Sequence, residues 1–339
     1  MQKGGFGGFG RSSNPVPTPK ALAPVVSYLK AILPFLPTST MSLSLTALYF
    51  VVISLIHLKY STGDFSALMT YASLTRAFAF GIIFLGVVPP ALRNNSRVVP
   101  PHVELMSLKT MLLYSIVFLS RLSSILRHEG YLPYDKSGDW IYHALECVCV
   151  FFAVGSTAAL YKLKGGRFND ASEYSEDRDT MFNAGGASKL MNLLLPTLYI
   201  AGPAFVLSCL IHPSLNSDLL SDVSWTFSMY LESFAIVPQL YLFQKFASSG
   251  GTKNAIPLLK AHILTSLSVA RLQDLVFWLY SYKELTSAAG SRAPGIVALV
   301  SQLVHLAIMA DFLYYYVVAI SRGGGDTAGV ILPTTGDAV

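Results

Sequence analysis

Charged side chains are scarce in this chain. Asp, Glu, Lys and Arg together make up 13% of its 339 residues, whereas an ordinary soluble domain carries about 25%. Hydrophobic residues make up 53%. This balance excludes an ordinary soluble domain and predicts an all-α polytopic membrane protein, in which the bilayer replaces one large core.

Cysteines and catalytic motifs are also lacking. The three cysteines, Cys147, Cys149 and Cys209, fall in apolar segments, which excludes a disulfide framework and the spacing of a zinc site. The sequence has no Gly-Lys-Ser phosphate loop, His-Glu-x-x-His or Gly-x-Ser-x-Gly motif. We therefore expect no enzymatic activity, no metal and no cofactor.

Residues 1–40 contain no acid, four basic residues and many Gly, Pro and Ser. This composition predicts a disordered basic cytosolic tail, with an organelle-targeting segment as the alternative. The net charge of +5 does not indicate nucleic-acid binding, because the basic residues lie mainly between the apolar segments, where the positive-inside rule explains them.

Eight segments are apolar and about as long as a membrane span requires. They are 41–58, 67–88, 106–126, 141–161, 190–211, 223–244, 256–280 and 295–320. One side of this arrangement receives 16 Lys and Arg and the other receives 5. The excess predicts that both termini are cytosolic.

Three arginines lie inside three different spans: Arg76, Arg121 and Arg271. A cation at mid-membrane depth costs roughly 2.5–3.5 kcal/mol on insertion scales, so such residues usually face an internal cavity and have a partner. In the predicted topology all three lie in the lumenal half of the membrane. They predict either a pocket for an anionic ligand or structural pairs with Glu146, Glu232, Asp274 or Asp311. Asp274 follows Arg271 by three residues and is a natural partner on the same helix face.

The surroundings of two of these arginines resemble each other. Arg121-Leu and Arg271-Leu each lie in an apolar stretch, within helices that run in the same direction. Two parallel three-helix repeats would produce this internal similarity, with the fifth span, 190–211, as the linker between them.

The segment Trp225-Thr-Phe-Ser-Met-Tyr230-Leu-Glu232-Ser-Phe-Ala-Ile-Val-Pro238-Gln239 resembles the ER lumen protein-retaining (KDEL) receptor family. The runs 112–121 and 311–316 also resemble helices of that family. The resemblance implies a seven-helix bundle over 66–322, similar to SWEET and PQ-loop proteins and built of two three-helix repeats. Residues 41–65 would then form an extra N-terminal transmembrane helix and loop, and residues 323–339 a flexible cytosolic tail.

The resemblance also implies a function. The family binds the C-terminal tetrapeptide of escaped lumenal proteins in the Golgi and returns them to the endoplasmic reticulum. Such a protein resides in ER and Golgi membranes, contacts membrane lipid and engages vesicle coat proteins. A solute transporter of the SWEET or PQ-loop type and a non-binding scaffold remain the alternatives.

Site residues follow from the same resemblance. Arg121 is expected to bind the terminal carboxylate, while Arg76 and Arg271 bind acidic side chains or hold the shape of the pocket. The remaining positions are Asp222 near the ligand's lysine, Trp278 in the pocket, and Tyr230, Glu232, Asp274 and Asp311 in a polar network or switch. The family's first-helix histidine aligns with the apolar run 81–84, and its C-terminal lysine cluster is absent.

Overall fold

The computed structural model describes residues 51, 52, 55, 59, 66–93, 101–128, 139–164, 186–214, 218–250, 255–321 and 329–332. The predicted tail 1–40 and most of the predicted extra helix 41–65 lie outside these residues. Most of the predicted C-terminal tail lies outside them as well.

Helices account for nearly all of the described residues. They are α1 (Ser66–Arg93), α2 (Pro101–Glu104), α3 (Leu108–Ile125), α4 (Asp139–Lys164), α5 (Gly186–Leu210), α6 (Leu219–Phe234), α7 (Val237–Gly250), α8 (Leu258–Ala289) and α9 (Ala293–Ser321).

Among the described residues, four helices are long and apolar enough to cross a membrane: Leu68–Leu92, Leu108–Ile125, Trp140–Lys164 and Ala293–Ala319. They coincide with four of the predicted spans. A shorter apolar stretch, Leu194–Leu210, lies within α5. Helix α8 has 32 residues, but the charged side chains inside it lower its hydropathy. The chain is therefore an all-α polytopic membrane protein.

The predicted span 223–244 is interrupted: the structure divides it into α6 and α7 at Ala235 and Ile236. Pro238 explains the break, since it has no N–H to continue the hydrogen-bond ladder. The buried side chain of Gln239 fixes the broken segment. Its Oε1 accepts from Ser107 N at 2.8 Å and its Nε2 donates to Leu105 O at 2.8 Å.

The helices pack in two similar triplets. Helix α4 packs against both α1 and α3, and α9 packs against both α6 and α8. Between the triplets, α1 packs against α8 and α3 packs against α6. Exchanging α1, α3 and α4 for α6, α8 and α9 reproduces this set of contacts. This pattern favours the predicted pair of three-helix repeats, although the repeat itself stays a prediction.

Helices α1 and α4 are closely packed where they meet. A Cβ added at Gly155 of α4 would lie 2.6 Å from Cε2 of Phe84 on α1, so only glycine fits there without displacing the ring. Large hydrophobic side chains also cover the outside of the bundle, as expected of a surface that faces lipid. They include Leu85, Leu119, Phe151, Leu198, Phe205 and Tyr314.

Candidate functional site: a buried cluster of arginines and acids

The three membrane-embedded arginines meet in the interior of the bundle. Arg76 of α1, Arg121 of α3 and Arg271 of α8 are each only 3–4% exposed. The three arginines therefore lie at one level of the bundle, and their depth in the membrane stays a prediction. Three acids share the same space, namely Glu146 of α4, Glu232 of α6 and Asp274 of α8, and all three are buried. The result is a cluster of six charges drawn from five helices.

Glu232 occupies the centre of this cluster. Its two carboxylate oxygens form direct ion pairs with different arginines, Oε2 with Arg121 and Oε1 with Arg271. Arg76 Nη1 lies 4.0 Å from Oε1. Glu232 therefore joins α6 to α3 and α8, the helices that carry the two Arg-Leu sequences.

Asp274 pairs most closely with an arginine of another helix. Its Oδ2 lies 2.5 Å from Arg76 Nη1 and 3.8 Å from Arg271 Nη1. The predicted pair within α8 is present, but the pair between α1 and α8 is shorter. Arg271 donates from Nη1 to Gln302 Oε1 at 3.0 Å, and Arg76 donates from Nη2 to Ser73 Oγ at 3.0 Å.

The cluster combines strong attraction with a large desolvation penalty. Moving a charge out of water costs several kcal/mol, and close pairing offsets this cost. Because the six side chains comprise three cations and three anions, no arginine in the cluster is left without a counter-ion. Of the two alternatives raised by the sequence, the structure shows the pairs between arginines and acids. An anionic ligand would therefore have to displace one of the three acids from its arginine.

Two predicted pocket residues, Trp278 and Asp222, lie between the cluster and one end of the bundle. Trp278 follows Asp274 by four residues and therefore lies one helical turn away on the same face. Its ring packs against Trp225 with centroids 6.0 Å apart at 71°. Asp222, which is buried, precedes Trp225 by three residues on α6. These side chains extend the buried interior toward the N-terminal end of α6.

Two predicted network residues do not join the cluster. Tyr230 precedes Glu232 by two residues, about 200° around the helix, and its hydroxyl donates to Ile211 O at 3.0 Å. Asp311 is exposed on α9 and follows Gln302 by nine residues, about 13.5 Å along the helix. The positions of these two residues along their predicted spans did not reveal which way their side chains face.

Two neutral partners of the arginines were missed by sequence reasoning. Ser73 lies one turn before Arg76 on α1, a spacing that allows the contact. Gln302 is a polar residue inside the apolar segment 295–320, and this isolated polarity is the signal in the sequence that identifies it. Both are buried and both accept hydrogen bonds from the cluster.

A cavity of about 440 Å³ opens beside α8, beyond Trp278. It is lined by Leu279, Tyr280, Tyr282, Lys283 and Leu299. None of these side chains belongs to the six-charge cluster, so the cavity lies apart from the arginines.

An acid outside the spans links two helix ends. Asp218 caps α6 and accepts from Ser221 Oγ at 2.6 Å and from Leu220 N at 3.2 Å. His128, just after α3, lies 3.1 Å from Asp218 Oδ2. The hydrogen bond from Ser221, followed by that from His128, lowers the pKa of Asp218 to about 2.

Comparison with known proteins gives a consistent result. The family model described as ER lumen protein retaining receptor matches residues 102–281, which is more than half of the chain. The ER lumen protein-retaining receptor of Saccharomyces cerevisiae is 26% identical over 66% of this chain and 85% of its own length. The ER lumen protein-retaining receptor A of Arabidopsis thaliana is 30% identical over 63% of this chain and 80% of its own length. The ER lumen protein-retaining receptor of Drosophila melanogaster is 25% identical over 63% of this chain and 81% of its own length. With its six buried charges held on five helices of a membrane bundle, this chain belongs to the ER lumen protein-retaining receptor family.

Proposed function

We propose that this chain is a sorting receptor that binds the carboxylate-rich C-terminal retrieval signal of escaped lumenal proteins in the Golgi and returns them to the endoplasmic reticulum. The observation that carries this proposal is the meeting of Arg76, Arg121 and Arg271 in one buried site of a protein from the retaining-receptor family. The matched relatives are named receptors, so they do not favour a solute transporter or an enzyme.

The ligand chemistry suits this site. A terminus ending in Lys-Asp-Glu-Leu offers three carboxylates, two from side chains and one from the chain end. Guanidinium groups bind carboxylates bidentately, and the interaction strengthens where water is excluded. Arg121 takes the terminal carboxylate, and Arg76 and Arg271 take the acidic side chains or hold the shape of the site.

The end of the bundle marked by Asp222 and Trp278 provides the entrance. Asp222 lies where it attracts the lysine of the peptide, and Trp278 with Trp225 forms an aromatic wall between Asp222 and the cluster. Aromatic side chains in this position pack against the aliphatic parts of the peptide and attract its cation. Glu232 and Asp274 hold the arginines in place before the ligand arrives.

The experiment is binding of a fluorescent peptide ending in Lys-Asp-Glu-Leu to the purified receptor. Arg121→Lys keeps the charge but removes the bidentate fork, and it should weaken binding at least tenfold, about 1.4 kcal/mol. The matched control is Arg127→Lys. Arg127 is exposed just after the end of α3, so this variant should bind like the wild type. Equal affinity of the Arg121 and Arg127 variants would contradict the assignment.

The location and orientation belong to the same proposal. A receptor of this kind resides in ER and Golgi membranes, with both termini in the cytosol and vesicle coat proteins as partners. An epitope tag at the C-terminus should react with antibody after selective permeabilisation of the plasma membrane. Reaction only after the internal membranes are opened would place the C-terminus in the lumen and reverse the topology.

A further inference from the structure

Lys260 of α8 is a buried lysine whose ammonium group has no partner. Only 5% of the residue is exposed, and its Nζ has no hydrogen-bond partner among the described residues. Lysine is almost never fully buried unless it is paired. The charged side chains that act on it electrostatically are Lys164 of α4, which repels it, and Glu104 of α2, which attracts it. Because Glu104 is exposed and forms no described ion pair with Lys260, the buried charge lacks a close counter-ion.

The ammonium group of Lys260 belongs to the N-terminal end of α8. Lys260 is the third residue of this helix, and helical side chains lean toward the N-terminus. Pro257, the residue before the helix, forms no side-chain cap hydrogen bond, and the first turn contains no acid. The first N–H groups of a helix have no acceptor within it and carry a partial positive charge. The helix end and Lys260 therefore attract an anion from the same direction.

Lys164 adds a second cation from the C-terminal end of α4. Its Nζ donates to Glu104 O at 3.1 Å and to Met106 O at 2.8 Å. These two hydrogen bonds hold the ammonium group close enough to Lys260 for the two charges to repel. Two cations against the single carboxylate of Glu104 leave one positive charge uncompensated within this described group.

The chain that leads into α8 is held in place by a second segment. Ile256 and Val330 form an antiparallel bridge, with N–O distances of 2.9 Å in both directions. Val330 and Leu332 are buried. A Cβ added at Gly329 would lie 2.5 Å from Ile256 O, so this close approach requires glycine. The bridge fixes the backbone beside the helix end, and a site fixed in advance loses little entropy when a ligand binds.

This basic group lies apart from the arginine cluster. Lys260 precedes Arg271 by eleven residues, about 16.5 Å along α8. Trp278, at the proposed peptide entrance, lies beyond Arg271 in the same direction. The two lysines are therefore at the opposite end of the bundle, which the predicted topology places on the cytosolic side.

The chemistry of the group suits phosphate better than a carboxylate. A phosphate monoester carries about 1.5–2 negative charges on three acceptor oxygens, which matches two ammonium groups and a helix end. Helix N-termini bind phosphate through their N–H groups, and lysine binds it as a point charge. In membrane proteins, basic pockets between helices on the cytosolic side bind the headgroups of anionic lipids.

We propose that Lys260, Lys164 and the N-terminus of α8 bind a phosphate group at the cytosolic end of the bundle. The phosphate neutralises the buried Lys260 ammonium group and accepts hydrogen bonds from the first turn of α8. It comes either from an anionic phospholipid of the cytosolic leaflet or from solution. This site goes beyond the proposed receptor function and does not depend on it.

Thermal unfolding of the full chain in detergent tests the site with a matched pair of lipids. Dioctanoyl phosphatidic acid and dioctanoylglycerol have the same acyl chains and differ only in the phosphate group. Phosphatidic acid should raise the unfolding midpoint by at least about 2 °C, because a ligand that binds only the folded state stabilises it. Dioctanoylglycerol should leave the midpoint unchanged. Sodium phosphate, compared with sodium chloride at equal ionic strength, tests whether soluble phosphate is sufficient.

Two lysine variants locate the binding. Lys260→Met removes the buried charge and keeps the aliphatic side chain. Without ligand its midpoint should be no lower than that of the wild type, because it no longer buries an unpaired ammonium group. The shift produced by phosphatidic acid should be lost. Lys162→Met removes an exposed lysine from the same end of α4 and should keep the wild-type shift.

The outcomes decide both the site and the source of the phosphate. A shift with phosphatidic acid alone assigns the site to a lipid headgroup, and a shift with sodium phosphate assigns it to the phosphate group itself. No shift with either phosphate source would overturn the proposal. A wild-type shift in Lys260→Met would also overturn it, because the ligand would then bind elsewhere. If Lys260→Met fails to fold, Lys260→Gln provides the same comparison.

Discussion

Arg76 and Asp274 lie 198 positions apart in the chain, yet their side chains form a 2.5 Å ion pair that joins α1 to α8. Both side chains are buried. This pair holds together one helix from each triplet at the level of the cluster. The position of Arg76, on which the binding proposal depends, is therefore set by a residue of the opposite triplet.

Breaking this pair should destabilise the protein strongly. Asp274→Ala leaves the Arg76 guanidinium without its closest partner, and loss of one member of a buried pair typically costs about 3–5 kcal/mol. Thermal unfolding in detergent should show a markedly lower midpoint for the single variant. Replacement of both residues, Arg76→Met with Asp274→Leu, should recover most of the stability because no charge is left unpaired.

The same double variant separates folding from binding. It keeps the packing volume but removes one of the three guanidinium groups, so it should fold and bind the acidic peptide more weakly. Wild-type affinity in a folded double variant would show that Arg76 acts in structure alone. The scaffold alternative would gain support if the peptide also failed to bind the wild type.

The Gln239 side chain should contribute measurably to stability. Gln239→Leu leaves Ser107 N and Leu105 O without their partner in the interior, and each buried unsatisfied group costs about 1–3 kcal/mol. A lower unfolding midpoint is expected. Ser248→Ala on the exposed side of α7 should leave the midpoint unchanged, and equal effects of the two substitutions would contradict the bridging role.

Two glycines should respond in opposite ways to alanine. At Gly155 the added Cβ would meet the Phe84 ring at 2.6 Å, so Gly155→Ala should destabilise the protein by about 1–3 kcal/mol. At Gly86 of α1 an added Cβ would meet no atom within 4 Å outside its own stretch of helix. Gly86→Ala should therefore stabilise by about 0.5–1 kcal/mol through helix propensity. Thermal unfolding of both variants under one condition provides the measurement.

The Asp218 carboxylate predicts a specific pH dependence. Its pKa is about 2, below the usual 3.8, so the folded state favours the charged form. Its stabilising contribution is complete above about pH 4 and is lost as pH falls toward 2. Asp218→Asn should lower the unfolding midpoint at pH 5–7, and the difference from the wild type should shrink as the solution is acidified.

Leu219→Ala serves as the control for that experiment, because Leu219 is an exposed, uncharged residue beside Asp218. Its difference from the wild type should not change with pH. A constant difference between Asp218→Asn and the wild type down to pH 3 would contradict the stated role of the carboxylate.

The sequence predicted the depth of the buried charges better than their partners. Hydropathy sets the position of a residue along the membrane normal, and from this the meeting of Arg76, Arg121 and Arg271 could be predicted. It does not set the rotation of each helix about its axis. For this reason Tyr230 was expected in one polar network with Glu232, although it faces another side of α6. Asp274 was expected to pair with Arg271 within α8, although Arg76 lies closer.

The break between α6 and α7 shows a second limit. Pro238 is visible in the sequence, and a proline inside a span favours a break in the helix. The broken segment is fixed by Gln239, whose two hydrogen bonds reach residues more than 130 positions earlier in the chain. A contact of that range cannot be deduced from local periodicity, because it requires α3 and α7 to be packed together first.

The most direct test of the account compares two peptides that end in Lys-Asp-Glu-Leu and differ only at the C-terminus, one with a free carboxylate and one amidated. Titration calorimetry at mildly acidic pH should show saturable binding of the free peptide, and at least tenfold weaker binding of the amide, because the amide offers Arg121 no carboxylate. Equal affinity for the two peptides would contradict recognition of a terminal carboxylate by the buried arginines.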